Sequence, residues 1–230
     1  MTLSPPDVII LKVTIMQRLR IRFTRGEEIK YISHLDLLRL WQRALARAGI
    51  AIAYSEGFSP HPRMSLAAPL ALGVTGESEL LDIYLAKWSS PHTFTAAMER
   101  QLPIGLKIEQ VFNIAPTMPS LQSQVTSAEY RVSIATEKTQ TEVESAINAL
   151  LDKETLPWQH QRDTGTRHYD LRALIEDIWL ESWRSGSCEI MMRLRCDSAG
   201  SGRPEQVIAA MGFEKYPESI HRVRLILRTQ

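Results

Sequence analysis

Cysteine is scarce in this chain: of 230 residues only Cys188 and Cys196 are cysteine, and neither a CxxC pair nor a CxxxCxxC cluster occurs. An iron–sulfur or zinc site built by this chain alone is therefore not expected. The two cysteines lie in one apolar stretch, too far apart to bridge if that stretch is a single strand. They read as reduced core residues of a cytoplasmic protein. Long apolar runs are also missing, since none approaches the roughly 18 to 20 residues that span a bilayer. Net charge is nearly absent at +1, which argues against wholesale coating of a nucleic acid but leaves room for a local basic face. The opening MTLSPPDVIILKVTI has no basic n-region and no small-residue cleavage site, so it does not read as a signal peptide. Met16 is the expected start, with residues 1–15 a disordered or adventitious extension.

What is present is the composition of a soluble globular protein, 44% hydrophobic and 23% charged. The length leaves room for one large domain or two of roughly 100 residues. RLRIRFTR (18–25) alternates, with Leu19, Ile21 and Phe23 on one face and Arg18, Arg20 and Arg22 on the other, a strand with one buried face. SHLDLLRLWQRALARAG (33–49) is a helix, opened by Ser33 with Asp36 three residues on and closed by Gly49. IAIAYS (50–55) reads as a strand, MSLAAPLALGV as a following segment, and ELLDIYLA (79–86) as a strand. SPHTFTAAMERQL (90–102) opens as a helix on Ser90 and Pro91, and GLKIEQVFNI (105–114) is a strand. The order β-α-β-β-α-β is that of the ferredoxin-like split βαβ.

APTMPSLQSQVTS, from residue 115, reads as a linker over 115–126. The pattern then recurs over 127–230. A strand is followed by a helix at 139–152, strand-like runs near 156–161, 167–180 and 187–196, a short helix at 202–212 and a terminal strand at 219–228. The expected fold is α+β, two ferredoxin-like halves in tandem (16–114 and 127–230), the second decorated. Residues 16–113 hold twelve Lys/Arg against nine Asp/Glu, and residues 127–230 hold fourteen against sixteen. An anionic partner is sought in the basic first half.

Arg39, Arg43 and Arg47 form one helix ridge, and the arginine fork suits phosphate. The loop SEGFSPHPRMS (55–65) is longer than a plain hairpin needs. Gly57 permits a positive φ, while Pro60 and Pro62 stiffen the chain beyond it. In this loop Phe58 is a candidate to stack on a base, His61 and Arg63 to bind phosphate, and Ser55 and Ser59 to donate hydrogen bonds. His34, in the first helical turn, is a candidate base, with Tyr31 nearby as acid. In HYDLRALI, Asp170 and Arg172 share one side of a strand. SAGSGRPEQ, with Arg203, is glycine-rich and opens a helix, which suits phosphate at exposed amides but is no Walker loop.

From the SHLDL helix start through SEGFSPHPRMS, PLALGV and ESELLDIYL, residues 18–113 resemble the bacterial radical SAM-linked or radical SAM-associated family, DUF2344. YDLRALI and GSGRPEQVI are similar to that family's second half. The resemblance implies work beside a radical SAM protein, of a type that also carries a cobalamin domain. This chain has neither the three-cysteine cluster nor a DxHxxG motif, so any such chemistry belongs to the partner, and no cofactor of its own is expected. The leading expectation is a non-catalytic accessory protein that binds RNA through the basic helix face and the 55–65 loop. The alternatives are a metal-independent endoribonuclease, with His34, Tyr31 and Arg63 around one phosphate, and a pure protein–protein adaptor.

Overall fold

Alternation in the first strand places Leu19, Ile21 and Phe23 together, and all three are fully buried. In a computed structural model of the chain, which describes residues 16–162 and 165–228, they belong to strand β1 (Gln17–Arg25). The expected extension, residues 1–15, lies outside the described residues. Helix α1 (His34–Arg47) starts where Ser33 Oγ accepts from the Asp36 amide, and it ends before Gly49, whose φ of +69° suits glycine. Strands β2 (Met64–Leu66) and β3 (Thr75–Leu85) follow. Helix α2 (Pro91–Glu99) is capped by Ser90 with proline in its first turn, and β4 (Leu106–Ile114) completes the group. These strands lie in the order β4-β1-β3-β2, every neighbouring pair antiparallel.

The second run comprises helix α3 (Leu121–Gln124), β5 (Val125–Ala135) and α4 (Gln140–Leu151), then a separate hairpin of β6 (Pro157–Arg162) and β7 (Gly165–Asp170). It continues with β8 (Ile175–Arg184), β9 (Ser187–Arg195), α5 (Pro204–Ala210) and β10 (Ser219–Leu227). Its strands lie in the order β10-β5-β9-β8, again antiparallel. The two sets join into one eight-stranded, mostly antiparallel sheet where β10 runs parallel to β3 for His221–Thr75 and Arg222–Gly76. The seam is fastened by Arg222, fully buried, whose Nε donates to Glu79 at 2.8 Å and whose Nη2 donates to Ala68 O at 2.6 Å.

The cores do not divide where the sequence does. Leu81, Ile83 and Leu85 pack with α1 and α2, whereas their neighbour Leu80, with Ala67 and Val74, joins the second core. Successive strand residues face opposite ways, so β3 serves both cores, one on each face.

Four local readings change. IAIAYS is not a strand: Ile52 and Tyr54 make only isolated bridges, to Leu85 and Pro62. The 167–180 run is two strands, split by a short 3-10 turn at Arg172–Leu174. The 115–126 segment, expected as a linker, carries α3 with Leu121 fully buried. The arginine face of β1 is not a solvated face. Arg18 Nε and Nη2 donate to Asp82 Oδ2 at 2.9 and 2.6 Å, and Arg20 Nε donates to Oδ1 at 2.8 Å. The segment before β5 covers them, because Arg18 also donates to Met118 O and Pro119 O, at 2.6 and 2.8 Å, and Arg20 to Gln124 Oε1 at 3.2 Å. Only Arg22 of the three remains exposed. Cys188 lies buried on β9 and Cys196 just beyond its end, both free, and burial pushes the Cys188 thiol up to about 11.

Candidate functional site

The 55–65 loop grows out of α1. Beyond Gly49 the chain runs beside the end of β3, with the Ala53 amide donating to Tyr84 O at 2.7 Å and the Ala86 amide to Ala51 O at 2.9 Å. It returns through Arg63, whose amide donates to Ala53 O at 2.8 Å. The neck is closed by the Ser55 amide on His61 O at 2.8 Å and by the His61 amide on Ser55 Oγ at 2.9 Å. Gly57, with φ of +113°, makes the reversal. Glu56 to His61 are all exposed, and the Phe58 side chain stands wholly in solvent rather than in the core. Tyr54, beside the neck, and Trp88, just past β3, are exposed at the same end of the sheet.

The arginines divide by commitment. Arg63 is half-buried, its guanidinium 4.2 Å from the Tyr84 ring centre and its Nη1 3.0 Å from Met16 Sδ. Arg47 donates to Gln101 O at 2.6 Å. Arg39 makes an exposed pair with Asp36 at 2.9 Å. The Ser33 hydroxyl, and then Arg39, hold the Asp36 carboxyl below its usual range. Among the described residues Arg43 is exposed and has neither hydrogen bond nor ion pair.

His34 and Tyr31 are both exposed at the start of α1, where Arg25 grips the backbone at Lys30 O and Ile32 O, 2.7 and 2.8 Å away. Arg63 belongs elsewhere. Its stacking partner Tyr84 pairs with Arg18 at the other end of β1, seven residues or roughly 23 Å along the strand. Tyr84 also faces away from Ile83 and Leu85, which pack under α1. The expected base, acid and charge stabiliser are therefore not brought around one phosphate.

In the second half, Arg172 is part of the scaffold. It donates to Leu151 O, at 3.2 and 3.1 Å, and to Ile175 O at 2.8 Å, while Asp170 takes the Leu156 and Arg172 amides. In the glycine-rich turn the Ala199 and Gly200 amides are taken, because Asp197 Oδ1 accepts from them at 2.8 and 3.1 Å. Arg203, in contrast, stands beside a cavity with His160, Arg167, Tyr169 and Arg195. The sequence reading missed the last four. Arg167 and Tyr169, two apart on β7, share one face by strand periodicity, and that was the available signal. Among the described residues no three His, Cys, Asp or Glu side chains form a metal-binding group, and no helix is long and apolar enough to cross a membrane.

A family model described as an uncharacterized protein conserved in bacteria, DUF2344, matches residues 18–204. The chain belongs to the DUF2344 family. The match takes in both the loop-bearing first half and the second-half cavity. No curated protein matches the chain. Among solved structures, a Cbf5–Nop10–Gar1 complex aligns at 7% identity and a TM-score of 0.48, over 91% of this chain and 48% of that one. An H/ACA ribonucleoprotein bound to a substrate RNA containing 2′-deoxyuridine aligns at 9% identity and 0.48, over 91% and 47%. The chain thus spans about half the length of these structures.

Proposed function

We propose that this chain is a non-catalytic RNA-binding module of the cytoplasm, built from two tandem ferredoxin-like units, the second decorated by the β6–β7 hairpin. It presents RNA to a partner, and the resemblance of its motifs implies that this partner is a radical SAM protein. The observation that carries the reading is Phe58, wholly exposed at the end of a loop whose neck is closed by Ser55 and His61. A large apolar ring in water gains nothing for folding, and a loop ordered in advance loses little entropy on binding. Such a ring is worth about 1–3 kcal/mol when a base stacks on it. The loop continues from the end of α1, whose exposed Arg39 and Arg43 supply charge for the phosphates.

The test is RNA binding by the purified chain, with cellular RNA at two salt concentrations. Saturable binding is expected, weakened in Phe58→Ala. In Arg39→Glu with Arg43→Glu the salt slope should fall by about 1 for each phosphate no longer neutralised. Absence of binding at low salt would sink the reading and favour a protein-docking role for the exposed Phe58, Tyr54 and Trp88.

A further inference from the structure

Two stretches that look unrelated in the sequence, HYDLRALI and SAGSGRPEQ, close on one cavity of about 230 Å³ in the second half. Their meeting is built in. The scaffold bonds of Asp170 and Arg172 hold the 3-10 turn that puts Leu174 on the cavity wall. The 197–203 turn then presses against it. A Cβ on Gly200 would lie 2.7 Å from Leu174 Cδ2, and one on Gly202 would lie 3.0 Å from Leu174 O. At Gly202, where the near atoms are Leu194 Cβ and a backbone oxygen, the approach requires glycine.

Three arginines, Arg167, Arg195 and Arg203, stand on its wall with one carboxylate, Asp170. Two of these arginines have a carboxylate partner, close for Arg195 and distant for Arg203. Asp170 is taken by two amides, and Asp197 by Arg195 Nε at 2.8 Å and two amides. Glu205 is 3.8 Å from Arg203 Nη1, beyond hydrogen-bond length. Among the described residues, neither Arg167 nor Arg203 donates a hydrogen bond to a carboxylate. The apolar part of the wall is Leu174 and the ring of Tyr169, whose hydroxyl donates to Gln206 and so fixes the ring.

We propose that this cavity binds a phosphate monoester carried on a ring of nucleoside size, with Arg167 and Arg203 on the phosphate and the ring against Tyr169 and Leu174. Guanidinium forks match phosphate oxygens in pairs, and the volume admits one nucleotide rather than two. The ester is either a free nucleotide or the phosphorylated end of an RNA. The site does not depend on the first-half surface.

Calorimetry on the full chain near physiological salt tests this, with nucleoside monophosphates, the unphosphorylated nucleosides, inorganic phosphate, and a short RNA bearing either a terminal phosphate or a terminal hydroxyl. A nucleoside monophosphate or the phosphate-ended RNA should saturate with Kd below about 1 mM, and whichever is tighter names the source. Arg167→Ala with Arg203→Ala should raise that Kd at least about 10-fold without shifting the unfolding midpoint. Arg22→Ala, on the exposed part of β1, should leave the Kd unchanged. Three results would overturn the proposal: no saturation by any phosphate ester, nucleosides binding as well as their phosphates, or a Kd indifferent to the double variant.

Discussion

Three of the carboxylates that receive arginine do so under graded burial. Asp82 takes Arg18 and Arg20 where the three side chains are 1, 2 and 8% exposed. Glu129, itself 6% exposed, takes Arg193 and Arg224, which are 37 and 59% exposed. Asp36 and Arg39, on α1, are 53 and 64% exposed. The bonds are alike in length at the first and last, at 2.6 and 2.9 Å, so distance does not separate scaffold from surface. Water does. A buried guanidinium that loses its carboxylate has no substitute, whereas an exposed one exchanges a weak pair for hydration. Arginine at Arg18 or Arg20 therefore belongs to the fold, and arginine at Arg39 or Arg43 stays at the surface.

The largest effect is expected at Asp82. Asp82→Asn leaves two buried cations without their counter-charge and should cost about 3–5 kcal/mol in urea unfolding. A loss under about 1 kcal/mol would mean that water reaches the β1 arginines, and with it the distinction from α1 would fail.

Glu129→Gln should fall between the extremes, at about 1–3 kcal/mol, and it carries a pH signature. The Arg224 bond, against burial and with help from Arg193, holds the Glu129 carboxyl below its usual range. A folded pKa below the unfolded one contributes stability that is present above the ordinary carboxylate range and is lost as pH falls through the lowered value. Thermal melts taken from neutral pH down to about 3 should therefore show the wild type losing its advantage over Glu129→Gln on acidification. Parallel curves would contradict the shift.

Smallest is Arg39→Ala, which should change stability by less than about 0.5 kcal/mol. Phe58→Ala should be equally silent in unfolding, because nothing packs on it, while it weakens RNA binding. A marked loss of stability in Phe58→Ala would show that the tip is folded against the body in solution.

The helix ends were readable because their causes are local. Ser33 caps an amide three residues on, Ser90 and Pro91 open α2, and Gly49 and Gly57 adopt the positive φ that their places require. Strand β1 was half readable. Its apolar face needs only alternation, but the fate of its arginines depends on Met118 and Pro119, about a hundred residues on. The same distance effect hid the role of the supposed linker. IAIAYS failed for the opposite reason: its apolar alternation suits a strand, yet the edge of β3 offers it only short pairing before the chain turns into the loop. In the candidate sites, Arg172 and Arg203 looked equivalent as isolated arginines. Carbonyls at Leu151 and Ile175 claim the first, and a cavity wall that includes Arg167, Tyr169 and Arg195 receives the second.

By itself, then, the sequence determined where α1 and α2 begin, that β1 has an apolar face, and that the 55–65 loop turns on glycine. Each of these depends on bonds and sterics within a few residues. Tertiary structure alone decided which arginines carry the fold and which stay in water, that β3 serves two cores, and that two polar motifs line one cavity. Burial and charge pairing are set by whatever segment arrives from elsewhere in the chain, and in water against protein the same guanidinium is either idle or indispensable.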